Sequence, residues 1–337
     1  MKLEKDTLNI GYIPLLDCVA ILWAAKQGYF EQQGLTVNLI QEASWSSLRD
    51  RLSYGFLDAA HCLSAMLPAS ALPQMQNSHA ICLQTPLVLS VNQAFISLRQ
   101  DICMQLGIQP GESELITADK LVNALKQNID IDLAYVYQHS IHHYCLKEWL
   151  ALADLDIALK THLLTSPPPF MVSGIASHVF DGFCVGEPWN LQAELEGHSF
   201  IVASSRNIIP AVADKVLAVT SEWASEHPNC VIACTKAIQK AQQELEQLQD
   251  LSVVWQMLRD YNIIQFDCSP TQHVYAYHKI SEILRRLVQH NALPEYSDFK
   301  WMLEQMQKWD GIQLSETEIE NIAYGCIYQY AKEGLTS

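Results

Sequence analysis

Basic residues and long apolar runs are both scarce in this sequence. Of 337 residues, 21 are Lys or Arg and 37 are Asp or Glu, which gives a net charge of −16 at pH 7. An acidic surface repels phosphate backbones and anionic lipid, so direct binding to nucleic acid or to a membrane surface is not expected. No segment approaches the roughly 18–20 apolar residues of a membrane-spanning helix. The composition therefore predicts a protein that does not insert into a membrane.

An export leader is the second feature that the sequence lacks. Secretory signals need a basic start and roughly 7–15 apolar residues, and residues 1–10 (MKLEKDTLNI) contain no such stretch. The ten cysteines follow no repeated spacing, and free thiols in such number suit a reducing compartment. We therefore expect a cytoplasmic protein.

Common catalytic signatures are missing as well. The motifs GxSxG and HExxH and the glycine-rich phosphate loops do not occur. The trio His139, His142 and His143 could suggest a metal site, but no carboxylate or cysteine cluster stands beside it at a known ligand spacing. The sequence therefore predicts a protein that is not an enzyme and that has no metal ion or other cofactor.

What the chain does have is a large apolar fraction, 49%, with only 17% charged residues, enough to bury an extensive core. Strands are predicted over 8–14, 36–40 and 59–63. Helices are predicted over 18–27, capped by Asp17 and stopped by Gly28, and from Trp45 onward, capped by Ser44. This alternation predicts a mainly parallel sheet with helices on both faces.

The second half of the pattern predicts a chain that leaves this sheet and later returns to it. An extended run over 81–98 is interpreted as a crossing into a second lobe, and a strand over 216–220 as the return. The prolines of 166–170 predict a rigid turn, and helices follow from residue 228, with breaks near 267–270, 292–294 and Gly311. We expect a discontinuous lobe 1 (1–96 and 206–337), a lobe 2 (97–205), and a ligand cleft between them.

Four segments carry a more specific signal: GYIPLLD (11–17), ASWSSLRD (43–50), FDGFCVGEPWN (180–190) and PAVADK (210–215). In this order they resemble the nitrate and bicarbonate solute-binding proteins of ABC transporters. The resemblance implies an α/β, two-lobed, periplasmic-binding-protein-like (type II) fold with a helical C-terminal region. It also implies ligand binding without catalysis. An enzyme of the same fold group is the minor alternative, because its cysteine-rich run is absent here.

The resemblance also implies a set of nitrate-binding positions, each of which has a structural alternative. Trp45 matches an indole donor but could be a core residue, and Gln93 matches an amide but could be an exposed loop residue in a segment that lacks the family's glycine. His142 matches an imidazole, with its neighbour His143 as a competitor. Gly186 matches a backbone N–H donor but could serve packing alone. The whole set is Trp45, Gln93, His142, Gly186 and Lys215.

Lys215 is the position that distinguishes nitrate from bicarbonate in this resemblance. The bicarbonate branch is expected to carry an acidic residue and calcium there, whereas lysine supplies a positive charge that balances nitrate. Replacement of Lys215 by Glu is therefore expected to abolish binding without unfolding the protein. The alternative is an ordinary surface lysine beside Asp214.

Two physiological roles fit the resemblance. One is the cytoplasmic nitrate and nitrite sensor branch (NasS), which holds an RNA-binding antiterminator inactive until nitrate or nitrite binds and so regulates nitrate assimilation. The other is the substrate-binding component of a nitrate or bicarbonate ABC transporter. The missing leader, the cysteines and the acidic surface, which suits a basic partner, favour the sensor.

Overall fold

Two five-stranded sheets form the framework of the protein. The computed structural model describes residues 2–72, 81–266, 274–287 and 293–329. The strands in these ranges are β1 (Thr7–Tyr12), β2 (Thr36–Gln41), β3 (Ala59–Leu63), β4 (Leu83–Val91), β5 (Ala94–Arg99), β6 (Leu133–Tyr135), β7 (Leu163–Thr165), β8 (Gly182–Gly186), β9 (Ser199–Ser204) and β10 (Ala213–Thr220). The first sheet has the order β2-β1-β3-β10-β4 and the second β7-β6-β8-β5-β9.

Both sheets combine parallel and antiparallel strands. In the first, β1 runs parallel to β2 and β3, while β10 returns antiparallel between β3 and β4. In the second sheet, β6 lies between β7 and β8 and runs parallel to both. Strand β5 lies between β8 and β9 and runs antiparallel to both. The predicted α/β class and the predicted return through residues 216–220 are confirmed. The prediction of a mainly parallel sheet is wrong, because antiparallel pairs with β10 and β5 make up half of the strand pairs in each sheet.

Helices surround both sheets and fill the C-terminal region. In the described ranges they are α1 (Val19–Lys26), α2 (Tyr29–Gln32), α3 (Trp45–Ser53), α4 (Met66–Ser70), α5 (Gln100–Leu106), α6 (Glu114–Lys126), α7 (Ile141–Ala151), α8 (Leu155–Lys160), α9 (Met171–Ala176), α10 (Trp189–Leu195), α11 (Ser221–Glu226), α12 (Pro228–Gln247), α13 (Ser252–Asp260), α14 (Val274–Leu287), α15 (Tyr296–Asp310) and α16 (Glu316–Gly325). Within the described ranges, no helix is both long enough and apolar enough to cross a bilayer.

Two predicted helix caps have different outcomes. Ser44 caps α3 as expected, because its hydroxyl accepts a hydrogen bond from the Ser47 N–H at 3.2 Å. Asp17 does not cap the next helix. It lies in a 3₁₀ turn, Leu16–Cys18, before α1, and makes no cap hydrogen bond. Its carboxylate is 3% exposed and is directed at other buried groups, so the prediction of a cap is wrong.

The side chain of one asparagine stabilises the connection between β4 of the first sheet and β5 of the second. Asn92, between β4 and β5, has a φ of 42°, which asparagine tolerates better than most residues. Its side-chain nitrogen donates to the Ile209 carbonyl at 3.2 Å, and its side-chain oxygen accepts from the Val212 N–H at 3.1 Å. Asn92 therefore ties the outgoing strand to the segment that returns into β10.

The crossing also bears on the predicted lobe boundaries. Strand β5 begins at Ala94 and belongs to the second sheet, so it lies across the predicted boundary at residue 96. The division into lobes 1–96 with 206–337 and 97–205 stays a prediction.

Helix α15 contacts elements on both sides of this crossing. Near its start, the Asp298 carboxylate accepts from the Ala213 N–H, the first residue of β10, at 2.8 Å. At its end, Asp310 accepts from the Tyr144 hydroxyl of α7 at 3.1 Å. The predicted break at Gly311 is confirmed by a φ of 70°. The break predicted over 267–270 lies outside the described residues, as does Ala292 of the break predicted over 292–294.

Candidate functional site

Lys215 lies on an interior strand of the first sheet. Its strand, β10, pairs Lys215 with Leu63 of β3 on one side and with Ser90 of β4 on the other. The lysine side chain has no exposed surface. The alternative of an ordinary surface lysine is therefore wrong. A buried ammonium group requires partners, since an isolated charge is strongly disfavoured away from water.

Two buried carboxylates supply those partners. The Lys215 Nζ lies 2.5 Å from an Asp214 oxygen and 3.1 Å from an Asp17 oxygen. Asp17 is also 2.8 Å from the Nε2 of His61 and accepts from the Ser90 hydroxyl at 3.4 Å. The sequence assigned these carboxylates no place in the site, and the structure puts both of them at its centre.

The remaining hydrogen bonds fix the protonation pattern around Asp17. The Nδ1 of His61 accepts from the Ile13 N–H at 3.4 Å, so the ring hydrogen lies on Nε2 and points at Asp17. Burial by itself raises the pKa of Asp17, but the charge of Lys215 and the contact with His61 outweigh burial and hold the pKa below its usual value. Asp17 is therefore an ionised acceptor that already has three donors.

Asp214 and Lys215 respond differently to burial. Burial raises the pKa of Asp214 above its usual value, because the opposing charge of Lys215 only partly compensates and Asp17 adds repulsion. For Lys215, burial lowers the pKa, but the charges of Asp17 and Asp214 outweigh it and raise the pKa. Lys215 is thus a permanent cation whose charge is already matched by carboxylates.

Trp45 and His142 bring unpaired polar atoms to the same region. Both side chains are buried, and the Trp45 Nε1 and both ring nitrogens of His142 have no hydrogen-bond partner among the described residues. The Lys215 Nζ lies 5.9 Å from the centroid of the Trp45 ring. Burial and the charge of Lys215 hold the pKa of His142 well below its usual value, although Asp17 opposes them. Both side chains therefore bring unpaired polar atoms to the surroundings of Lys215.

The neighbouring histidine is engaged elsewhere. The Nδ1 of His143 lies 2.9 Å from the Gln138 carbonyl oxygen, and its ring stacks on Tyr135 with centroids 4.7 Å apart. Of the two competing positions, His142 is the one with unpaired ring nitrogens beside the buried charges. Within the described residues, no group of three or more His, Cys, Asp or Glu side chains is arranged to hold a metal ion.

Gly186 and Gln93 lie side by side at the edge of this region. Gly186 ends β8 and pairs with Ala94, the residue after Gln93. A Cβ built on Gly186 would lie 3.6 Å from Leu15 Cδ2 and 3.8 Å from an Asp17 oxygen, which are ordinary contacts. Gly186 also has no positive φ. The local backbone therefore does not require glycine at this position.

Gln93 is 3% exposed, so the alternative of an exposed loop residue is wrong. Its backbone N–H donates to Asp214 at 3.3 Å, and its side-chain nitrogen donates to the Val91 carbonyl at 3.1 Å. The backbone of Gln93 thus contacts the buried carboxylate of Asp214, while its side-chain amide donates a hydrogen bond within its own loop.

The structure therefore brings the five predicted positions to one region around Asp17 and Asp214. Trp45 and Lys215 come from the first sheet and its helix α3, whereas His142 and Gly186 come from elements of the second sheet. The unpaired groups described above are donors or, in His142, one donor and one acceptor. The region therefore combines a buried charged centre with unpaired polar groups from the elements of both sheets.

Comparison with known proteins agrees with this architecture. The bicarbonate transport ATP-binding protein CmpC of Synechococcus elongatus is 28% identical over 334 residues, which cover 96% of this chain and 48% of CmpC. The chain thus spans about half the length of this relative. The nitrate/nitrite binding protein NrtA of Synechocystis is 24% identical over 323 residues, which cover 91% of this chain and 71% of NrtA. These relatives are named for transport and binding rather than for catalysis.

A solved structure shows the same fold. The periplasmic nitrate-binding protein NrtA from Synechocystis matches with a TM-score of 0.83 at 20% identity, over 97% of this chain and 87% of that chain. This likeness confirms the predicted periplasmic-binding-protein-like architecture. A family model described as the NMT1-like family matches residues 1–258. The chain belongs to the NMT1-like family.

Proposed function

We propose that the chain binds nitrate or nitrite between its two sheets, in contact with Trp45, Gln93, His142, Gly186 and Lys215. The observation that carries this proposal is a pair of buried, unpartnered side chains: Trp45, whose ring centroid lies 5.9 Å from the Lys215 ammonium, and His142, whose pKa the charge of Lys215 lowers. Leaving a buried donor without an acceptor is unfavourable by about 1–3 kcal/mol. An anion rich in acceptor oxygens would satisfy these donors.

The two carboxylates of the site favour an anion that carries no hydrogen of its own, and a neutral His142 ring is the acceptor that would remain for an anion with an O–H group. Hydrogencarbonate has an O–H group, which needs an acceptor in a buried site. The carboxylates of Asp17 and Asp214 already accept from Lys215. Asp17 also accepts from His61 and Ser90, and Asp214 also accepts from the Gln93 N–H. Nitrate and nitrite only accept. Two of the relatives, CmpC and NrtA, are named for bicarbonate and for nitrate and nitrite, respectively.

Gly186→Ala is expected to weaken nitrate binding by tenfold or more while leaving the fold intact. The added methyl group meets only ordinary contacts within the protein, but it occupies the space through which the backbone N–H would approach an anion. A tenfold loss corresponds to about 1.4 kcal/mol. Isothermal titration of sodium nitrate into both proteins measures the change, with sodium bicarbonate as the comparison ligand.

Gly182→Ala, in the same strand, is the matched control. Its Cβ would clash with Leu98 Cδ2 and lie 2.8 Å from the Ser97 carbonyl oxygen, so this variant is expected to lose stability. The thermal midpoint of unfolding separates the two effects. Absence of nitrate binding to the unmodified protein contradicts the proposed ligand. Full affinity in Gly186→Ala contradicts the proposed backbone contact.

For the biological role, we propose a cytoplasmic sensor that sequesters an RNA-binding antiterminator and releases it when nitrate binds. The nine described cysteines are all free thiols, which supports a reducing compartment. The net charge of −16 supports a basic partner. Nitrate held by residues of both sheets would favour a closed arrangement about the Asn92 crossing, and a partner that prefers the open arrangement would be released.

This role predicts reciprocal coupling between nitrate and the partner. Nitrate affinity is expected to be roughly 5–150-fold weaker when the purified antiterminator is bound, because each ligand must weaken the other by the same factor. Titrating nitrate into the protein alone and into the preformed complex measures the factor. Equal affinities would exclude the sensor model without affecting the nitrate site.

A second candidate role is the substrate-binding component of a nitrate or bicarbonate transporter. The names of the relatives favour it, since CmpC is named for bicarbonate transport. In that role the chain would bind its anion with no antiterminator, and no coupling would be found in the preceding titration. Stimulation of a reconstituted transporter's ATPase by the nitrate-loaded chain would support transport directly.

A further inference from the structure

The proposed site has a surplus of negative charge before any anion enters it. Lys215 is the only cation among the described side chains that contact Asp17 or Asp214, and each carboxylate carries a negative charge when ionised. The other titratable groups facing this centre are His61 from β3, His142 from α7, and the thiols Cys18, Cys62 and Cys184. With both carboxylates ionised and the rest neutral, the sum is −1.

Adding nitrate to this arrangement would bury a sum of −2, which is strongly disfavoured away from water. A proton taken up with the anion would remove the excess. Asp17 is a poor site for that proton because His61, Ser90 and Lys215 already donate to it. Asp214 likewise accepts from Lys215 and from the Gln93 N–H. Burial raises the pKa of Asp214, but a proton on either carboxylate would remove a charge that pairs with Lys215.

His142 is the group that gains from a proton. Both of its ring nitrogens are buried without a partner among the described residues. A neutral imidazole presents one N–H and one lone pair, and the lone pair would repel an anion that only accepts. A protonated imidazole presents two N–H donors and a positive charge. Burial and the charge of Lys215 lower the pKa of His142 in the protein alone, and a bound anion would oppose both.

We infer that the protein binds its anion together with one proton, and that His142 takes up this proton. The inference rests on the proposed nitrate site and adds a regulatory property to it. Nitrate affinity would depend on pH even though nitrate itself does not titrate near neutrality. Acidification would then favour the anion-bound form, and alkaline conditions would favour the anion-free form.

Calorimetry in buffers of different ionisation enthalpy tests the inference. Sodium nitrate is titrated into the protein at pH 7.5 in PIPES, HEPES and Tris, and the dependence of the observed heat on buffer gives the number of protons exchanged. We expect uptake of close to one proton for each nitrate. The affinity is expected to fall as pH rises, by up to about tenfold per pH unit between the pKa values of His142 in the free and bound protein.

His142→Gln identifies the residue, because glutamine keeps a side-chain N–H donor but does not titrate. This variant is expected to bind nitrate more weakly, with proton uptake and pH dependence lost. His143→Gln, on the adjacent position of α7, is the matched control and should retain both. Nitrate binding without proton uptake in the unmodified protein overturns the inference. Uptake that persists in His142→Gln overturns the assignment to His142, and no nitrate binding at any pH overturns the proposed function itself.

Discussion

Replacing Lys215 by methionine is expected to lower the free energy of unfolding by about 3–5 kcal/mol, the range measured when one partner of a buried ion pair is removed. Methionine matches the lysine side chain in length but has no charge. Asp17 and Asp214 would then be buried close together without the cation that contacts both of them. Urea denaturation at pH 7 measures the loss. Unchanged stability would show that the two carboxylates are not ionised at neutral pH.

Two further variants test whether the lost stability comes from the unpaired buried carboxylates or from the removal of a lysine side chain as such. Lys240→Met removes an exposed lysine that contacts Gln32 and lies over the Tyr29 ring, and its effect is expected to stay within about 1 kcal/mol. The double variant Lys215→Met with Asp214→Asn removes one carboxylate with the cation, so part of the lost stability should return. A double variant that is no more stable than Lys215→Met alone would indicate that the loss comes from packing.

The same geometry corrects one expectation from the sequence. Lys215→Glu was expected to abolish nitrate binding without unfolding the protein, on the assumption that the lysine charge is held for the ligand. The structure gives Lys215 two carboxylate partners and no exposed surface. A glutamate there would bury three carboxyl groups together, so we now expect the fold itself to fail.

The fold was predictable where local signals agree with one another. The alternation over residues 36–40 matches β2, the apolar run 59–63 matches β3, and Ser44 caps α3 as predicted. The two edge strands of the second sheet, β7 and β9, have no strand signal in the sequence. β7 has only three residues, and both strands lie at edges of the second sheet, where half-exposed sequences give a weak pattern.

The charges of the site were not predictable from local pattern. Asp17 lies directly before an apolar helical run, which is also the position of a helix cap. Only the folded chain shows that Lys215, far away in the sequence, competes for the same carboxylate. His61 lies inside an apolar strand and gave no signal of its contact with Asp17. The matched segments supplied positions for Trp45 and Lys215, but pairing between distant charges is a property of the tertiary structure.

The second large change in stability is expected at Glu187, and its size depends on pH. The side chain is 2% exposed, and one of its oxygens accepts from the Leu191 N–H at 2.9 Å while the other has no partner among the described residues. Burial raises the pKa of Glu187 from 4.5 to about 7, against the opposing charge of Lys279. The folded state therefore holds a proton that the unfolded state releases. Stability is highest below the unfolded pKa and is lost as pH rises toward 7.

Glu187→Gln is consequently expected to stabilise the protein by about 3 kcal/mol at pH 8 and by less than about 1 kcal/mol at pH 5. Glutamine keeps an oxygen for the Leu191 N–H and has no charge to bury. Urea denaturation at both pH values measures the difference, and the exposed Glu226→Gln serves as the control, with little change expected at either pH. An equal effect of Glu187→Gln at both pH values would mean that Glu187 is already neutral throughout or already ionised throughout, and that burial does not place its pKa between them.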